Sequence, residues 1–259
     1  MAFDNFSTKK LITISLRKLR HAVHYFGLLE DGDRVVIALS GGLDSTMLFY
    51  LLTHPKNNWM LRDIKFYPLH IDSGFRMDEH VWSRIAELCR RRNTELLIEK
   101  RDIESKAFAD DAPFNPCFIC SRMRRKAIFE TAELLGANKV ALGHHRDDVI
   151  ETFFLNICFS REMAAIIPKQ ELFQGKYHLI RPFFLTDKTI LETLSKRLAF
   201  PEAPKSCPMD GKSRREMIRE YLKMLYTEDK NIKKNIFRSL FKPKHDYLLE
   251  KYSDLLSSL

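Results

Sequence analysis

Cys117 and Cys120 stand three apart in the stretch NPCFICSRMRRK (residues 115–126), directly ahead of Arg122, Arg124, Arg125 and Lys126. Pro116 suits the first position of a helix, so both thiols are expected in a first helical turn. A helix N-terminus and nearby cations each lower a thiol's pKa, and thiolates are therefore expected here. A thiolate pair at this spacing serves a metal centre or a disulfide exchanger equally well, and the pair alone does not choose between them. The other cysteines are Cys89, Cys158 and Cys207. An odd, widely spaced set of five argues against a secreted disulfide framework. Cys89 and Cys158 fall in helical patterns, where a free cysteine behaves as a small buried hydrophobe, and neither is assigned a role.

Two loops carry oxygen and amide chemistry. IALSGGLDST (37–46) places Ser40, Gly41 and Gly42 between an apolar strand and a helix. Glycines let backbone amides close on an anion at the positive helix end, although a strand-to-helix turn without a ligand reads the same way. Asp44 would repel a phosphate, so it is expected either to cap the helix amides or to help hold Mg2+. GHHRDDVIET (143–152) sets Gly143, His144, His145 and Arg146 beside Asp147, Asp148 and Glu151. Adjacent carboxylates at a strand end suit Mg2+ and ATP phosphates, and Asp is also a good helix cap, so one can cap while the other reaches a site. Adjacent residues on a strand face opposite ways, so the two histidines are not expected to share a zinc ion. Gly211-Lys212-Ser213 imitates the end of a Walker loop, but Ser206 stands where that pattern needs glycine, and the segment is discarded.

The elements that must position these loops alternate. A helix over 8–28, capped by Ser7, precedes a strand in GDRVVIALSGG and a helix in LDSTMLFYLLTH. Further strands are expected in DIKFYPLHID, TELLIEK, KVALGHH and HLIRPF. Helices are expected in DEHVWSRIAELCRRRN, from Pro116, in DDVIETFFLNICF and near KTILETLSKRLA. Such alternation predicts an α/β fold: a Rossmann-like parallel sheet of about five strands with helices on both faces, and ligands beyond the carboxyl ends of the strands. SGGLDS and GHHRDD both fall at such ends. Pro201, Pro204 and Pro208 mark a break. The expected organisation is an N-terminal helical segment (1–30), a nucleotide-binding domain (31–200) and a basic helical C-terminal segment (201–259). Residues 212–251 hold 12 Lys and Arg against 6 Asp and Glu, within a net charge of +9. That surplus suits a polyanion such as RNA, or simply a solvated helical surface. No apolar run approaches the ~18 residues of a membrane helix, and the first residues lack a signal-peptide core, so a cytoplasmic protein with no membrane partner is expected.

The sequence resembles the PP-loop ATPases, whose SGGxDS loop binds pyrophosphate and which cleave ATP between its α and β phosphates. Within them it is similar to the tRNA 2-thiocytidine synthetases (tRNA-cytidine 2-sulfurtransferases). The resembling pieces are EDGDRVVIALSGGLDS, CFICSRMRR, LGANKVALGHHRDDVIETFFLN, HLIRPF and the cysteine after FPEAPKS, in family order over roughly residues 9–225. The resemblance implies ATP binding by Ser40, Gly41, Gly42, Asp44, Ser45 and Gly143, with Asp147 and Asp148 acting beside Mg2+. It further implies a [4Fe-4S] cluster on Cys117, Cys120 and Cys207, with the fourth iron open to hold sulfide, and a catalytic cation at Arg124. Zinc, or persulfide chemistry on the same cysteines, is the alternative use of these thiols. Leu43 stands where the family usually carries Lys. Cys207-Pro-Met-Asp210 replaces a second C-x-x-C, which makes Asp210 a candidate weak ligand to the fourth iron or else a helix cap. The implied reaction adenylates the C2 oxygen of an anticodon-loop cytidine in tRNA and replaces it with sulfur, supplied by a cysteine desulfurase or by sulfide. The tRNA phosphates would meet the N-terminal helix and residues 212–251, with Tyr221, Tyr226 and Phe237 as weaker stacking candidates, most of them expected in the core. The resemblance also implies a homodimer. Thiolation of another nucleoside, lysidine synthesis and a non-enzymatic nucleotide-binding regulator are the alternatives.

Overall fold

The computed structural model describes residues 3, 5–58, 60, 63–75, 77–204, 207–209, 211 and 213–248. Its centre is one sheet in the order β3-β2-β1-β4-β6-β5. The strands are β1 (Arg34–Ala38), β2 (Lys65–Asp72), β3 (Leu97–Lys100), β4 (Lys139–Ala141), β5 (Lys169–Leu172) and β6 (Tyr177–Ile180). Neighbours pair in parallel except β5, which pairs antiparallel with β6. The five parallel strands are those expected. β5 is the addition: KQEL is short, polar and only half-buried, so it carries none of the apolar signal that marks the others. It joins β6 through a turn in which Phe173, Gln174 and Gly175 all have positive φ.

Parallel strands joined by crossovers must be covered on both faces, and β1 shows how. Successive side chains on a strand alternate, so Val35 and Ile37 enter one apolar cluster while Val36 enters another. Ala141 and Ile180 join the first, and Val140 and Leu179 the second. Helices α1 (Thr8–Tyr25), α2 (Leu43–Leu52), α3 (Glu79–Arg90) and α7 (Lys188–Arg197) contribute to the first cluster. The four-residue α4 (Glu104–Ala107) precedes the longer α5 (Pro116–Leu134), which supplies Ala127, Phe129 and Ala132 to the second cluster.

Local chemistry starts these helices where the sequence places them. The Ser7 hydroxyl accepts from the Lys10 N–H, and the Asp78 carboxylate accepts from the N–H groups of His80 and Val81. On α5 the Asn115 side chain accepts from the Cys117 N–H at 2.9 Å, with Pro116 at the first helical position.

Two compact units divide the chain: Met1–Val149 with Ile166–Ser213, and Ile150–Ala165 with Arg214–Leu259. The second takes in most of α6 (Arg146–Phe159) together with α8 (Arg214–Glu228) and α9 (Ile232–Ser239). Within it, buried Glu151 receives a two-pronged bond from Arg219, at 2.8 and 3.0 Å. Phe237 is buried there, whereas Tyr221 is largely exposed and Tyr226 half-buried, so only one of the three aromatic residues lies in a core. Cys89 is buried as expected, but Cys158 is exposed, because its turn of α6 presents it to solvent rather than to a core. Among the described residues no helix is long and apolar enough to cross a membrane.

At the amino ends of β1 and β4, Lys139 and Asp33 form a buried ion pair at 2.7 Å. Asp33 also accepts from Asn138 Nδ2 at 2.8 Å and from the Glu30 N–H at 2.7 Å, which locks the two strand starts together. Lys139→Ala should therefore cost about 3–5 kcal/mol in urea denaturation, because it leaves a buried carboxylate without its cation. Lys65→Ala, at the exposed start of β2, should stay within about 0.5 kcal/mol.

Candidate active site

β1 pairs with β2 on one side and β4 on the other, so the chain's direction of travel across the sheet reverses between β1 and β4. The loops leaving such neighbouring strands splay apart and open a crevice at their carboxyl ends. SGGLDS follows β1 and GHHRDD follows β4. A cavity of about 420 Å3 lies there, walled by Ser40, Asp44, Ser45, Gly143, His144 and Asp148 among others. That volume is in the range of roughly 300–1,000 Å3 typical of small-molecule sites.

The β1–α2 loop is tied by its own hydroxyls. Ser45 Oγ accepts from the Ser40 N–H at 3.1 Å and donates to the Gly42 carbonyl at 2.9 Å, while the Thr46 hydroxyl donates to the same carbonyl. The two glycines do different things. Gly41 has φ +80°, and a Cβ there would come within 3.0 Å of the Trp82 ring and 2.8 Å of Ala203, so the fold itself demands glycine. Gly42 has an ordinary φ of −78°, and a Cβ would meet only the Ser40 hydroxyl at 3.4 Å. Nothing in the fold requires glycine at 42; the close approach of a ligand to the backbone would. Gly143 is a packing glycine of the strictest kind. A Cβ on it would lie 2.9–3.1 Å from the backbone of Asp44 and Ser45.

Gly42, whose side chain does not exist, occupies the N-cap of α2, and no side chain caps that helix. Asp44 thus does not cap, contrary to one of the two expectations for it. It turns instead toward His145, with Oδ2 3.6 Å from Nε2, while Oδ1 is buried without a hydrogen-bond partner among the described residues. On the other side of the imidazole, Asp148 Oδ2 lies 3.2 Å from Nδ1 and accepts from the His145 N–H at 2.9 Å. The Asp148 N–H returns a bond to Nδ1 at 3.4 Å, which makes a capping box with histidine as the cap. Asp147 does not line the cavity; its Oδ2 accepts from the Lys188 N–H at 3.0 Å and fixes the start of α7. Glu151, grouped with these carboxylates in the sequence, is instead the partner of Arg219.

His145 is therefore the hub, a role the sequence reading did not assign. Burial works to lower its pKa, but the interaction of its Nε2–H with the Asp44 carboxylate and the charges of Asp148, Asp44 and Asp147 together raise it. The signal was present as a histidine flanked by carboxylates, but only the fold brings Asp44 to its far side. His70 behaves oppositely. It stacks on Trp82 with ring centres 3.7 Å apart and bonds through Nδ1 to the Leu39 carbonyl at 2.8 Å, and burial holds its pKa below the ordinary value.

The cysteines stand close to this cavity. Arg124 lines it and also donates from Nη2 to Cys120 Sγ at 3.5 Å. Cys117, Cys120 and Cys207 are all free thiols, near enough that Cys207 and Cys120 act electrostatically on Cys117. The expected thiolate character does not hold for Cys117. Its pKa is raised, first by desolvation at the sulfur, although the residue as a whole is exposed, and then by the two neighbouring thiols. Desolvation leads, and the thiols then oppose one another's ionisation; a shared cationic centre would remove that second effect. Among the described residues no three His, Cys, Asp or Glu side chains close tightly enough to hold a single metal ion. The irons of a cube are spread over its corners, so its thiolates sit farther apart than the ligands of one ion, and a free three-thiol donor set fits it. Asp210, like Ser206 and Lys212, lies outside the described residues.

Residues 11–225 match the ATP_bind_3 family, the PP-loop domain. The tRNA-cytidine(32) 2-sulfurtransferase of Methylobacillus flagellatus is 33% identical over 232 residues, covering 85% of this chain and 72% of that protein. The enzyme of the same name from Cupriavidus pinatubonensis is 35% identical over 226 residues, covering 85% and 70%. This chain belongs to the PP-loop ATPases, in the tRNA-cytidine 2-sulfurtransferase family. Among solved structures, the U34-tRNA thiolase NcsA of Methanococcus maripaludis, determined with its [4Fe-4S] cluster, superposes with a TM-score of 0.75 at 20% identity, covering 92% of this chain and 80% of that one, and so shares the fold. In this member of the sulfurtransferase family, Leu43 packs against the apolar core from the start of α2. The segment after α7 is also part of the site. The Ala203 N–H donates to the Gly41 carbonyl at 2.9 Å, and Ala203 and Pro204 wall the cavity.

Two outcomes follow from this geometry. Gly143→Ala should destabilise the protein by roughly 1–3 kcal/mol, since backbone cannot yield as a side chain does, and thermal melting should show it. For His70 the folded pKa lies below the unfolded value of about 6.5, so the unfolded chain binds more protons and stability rises with pH. Stability should be full above about pH 6.5 and fall as pH drops below it. His70→Asn should flatten that slope in denaturation curves taken from pH 5 to 8.

Proposed function

We propose that this enzyme thiolates a cytidine in the anticodon loop of tRNA, using ATP to activate the C2 oxygen. The observation that carries the reading is Arg124, which both lines the nucleotide-sized cavity and bonds to Cys120. A cation between a phosphate site and a three-cysteine set is what a reaction needs when it makes an adenylate and then exchanges it for sulfur. The relatives named above as tRNA-cytidine(32) 2-sulfurtransferases support the choice of base.

The C2 carbonyl of cytidine is amide-like and a poor electrophile. Its oxygen attacks the α-phosphorus of ATP, and pyrophosphate leaves into the loop at the N-terminus of α2, where Gly41 and Gly42 allow backbone to come close. Charge grows on the α-phosphate and the leaving oxygens, and Arg124 stabilises it from the cavity wall. Asp44 and Asp148 would hold Mg2+, which neutralises the phosphates; the buried, unbonded Oδ1 of Asp44 fits that duty. His145 keeps these two carboxylates oriented from behind. Asp147 acts at one remove, fixing α7 beside the loop through the Lys188 N–H. Cys117, Cys120 and Cys207 would hold a [4Fe-4S] cluster which, having one iron without a protein thiolate, supplies sulfur when bound. Sulfur attack at C2 then expels AMP, now a good leaving group, and leaves 2-thiocytidine. On this reading the enzyme works in the cytoplasm, as a homodimer, and draws sulfur from sulfide, or from a cysteine desulfurase whose persulfide sulfur an external two-electron reductant brings to the sulfide level.

Anaerobic reconstitution of the protein should yield about four iron and four acid-labile sulfide per chain, with the visible absorption of a cube, all lost in Cys207→Ala. Pyrophosphate release should require tRNA and survive that substitution. Zinc in place of iron, or a colourless protein, would end the cluster reading; tRNA- and lysine-dependent pyrophosphate release by Cys117→Ala would point to lysidine synthesis. Gly42→Ala should melt with the wild type yet bind ATP at least about tenfold more weakly, as expected when a methyl group obstructs a backbone–phosphate contact.

A further inference from the structure

Helix α5 carries two stripes. Cys117, Cys120, Arg124 and Ile128 recur at helical spacing, and the last two line the nucleotide cavity. One residue further round, Phe118, Arg122, Arg125 and Phe129 form a parallel stripe, and these line a separate groove of about 700 Å3 closed on its far side by Phe173 and Tyr177. The function derived above makes no use of this groove.

Its chemistry is aromatic and cationic. Phe173 is 64% exposed and Phe118 49%, whereas Phe129 and Tyr177 are buried beneath. The rings of Phe129, Phe173 and Tyr177 meet at centroid distances of 5.3–5.9 Å, so Phe173 stands on a rigid aromatic base. Phe173 itself has φ +54°, in the turn between β5 and β6. A bulky side chain seldom adopts that conformation, and here it is held there with its ring turned outward. Along the rim, Lys176 is paired with Glu133 and Lys126 with Glu130. Among the described residues Arg122 and Arg125 have no ion-pair partner, and the lining holds four cations to two carboxylates.

We propose that this groove binds the unpaired nucleotides of the tRNA loop that flank the target cytidine, stacking bases on Phe118 and Phe173 while Arg122 and Arg125 meet their phosphates. The proposal rests on the tRNA substrate proposed above. Exposed aromatic faces interleaved with unpaired cations are the recurrent means of holding single-stranded nucleic acid without reading its sequence. Position supports the same occupant. A base delivered to the cavity must leave its stack, and its neighbours then need a surface to lie on. From Cys120 to Phe129 the helix runs about 13 Å at 1.5 Å per residue, which is the reach of a few nucleotides. The two stripes therefore allow one helix to hold the reacting base on one side and the bent loop on the other.

The test measures binding of full-length tRNA, an anticodon stem-loop and the paired stem alone to the intact protein, with ATP affinity and iron content as controls. Phe118→Ala and Phe173→Ala should each weaken stem-loop binding by about tenfold, leave the paired stem unchanged and keep ATP affinity. Arg122→Ala and Arg125→Ala should each reduce the salt dependence of binding by roughly 0.7–1 in log–log slope. If the wild type binds tRNA and these variants bind it equally well, the groove assignment is wrong and the thiolation reading stands. If the variants keep RNA affinity but lose sulfur transfer from a desulfurase, the groove is a protein-docking surface and the assignment again fails. A wild type that neither binds tRNA nor releases pyrophosphate with it would overturn the proposed function, and the groove proposal with it.

Discussion

The contact in the site that can least yield is between Gly143 and the backbone of Asp44 and Ser45, where a Cβ would have to sit within about 3 Å of main-chain atoms. Backbone cannot rotate out of the way, so this contact fixes how near the loop after β4 comes to the loop after β1. Everything else at the cavity depends on that distance. It lets one imidazole, His145, reach carboxylates from both loops, and it lets those carboxylates face a common space. Pairing of β1 with β4, anchored at its other end by Lys139 and Asp33, supplies the frame on which the approach is made.

The arrangement divides labour among residues of one type. Of the carboxylates gathered in sequence, Asp148 both closes a capping box and walls the cavity, Asp147 holds another helix, and Glu151 pairs with arginine in the second unit. Of the loop glycines, Gly41 and Gly143 are demanded by the fold, whereas Gly42 is free of that demand and so available for a ligand. Helix α5 likewise serves two surfaces, because successive residues on a helix point about 100° apart. Arg124 faces the cavity at the strand ends while Arg125 faces the aromatic groove.

Much of this was legible before any coordinates. Alternating apolar runs gave the five parallel strands, Pro116 and Asn115 marked the start of α5, and the two loops fell at strand ends as their glycines and carboxylates required. β5 was not legible, since a short polar edge strand is held by its ladder and not by apolar burial. The exposure of Cys158 and the raised pKa of Cys117 were missed for a related reason: each depends on neighbours brought together by the fold, not on the residues beside it in the chain.

The sequence by itself determined the strand order along the chain, the helix starts and the identity of the reactive groups, because periodicity, caps and donor types are local properties. Tertiary structure alone decided which of those groups share a space. It brought Asp44 to the far side of His145, set Cys207 near Cys117, and returned Ala203 over the loop after β1. Those pairings span long sequence separations. They are fixed by strand order and by the closeness of backbone at one glycine, and neither is written in any local pattern.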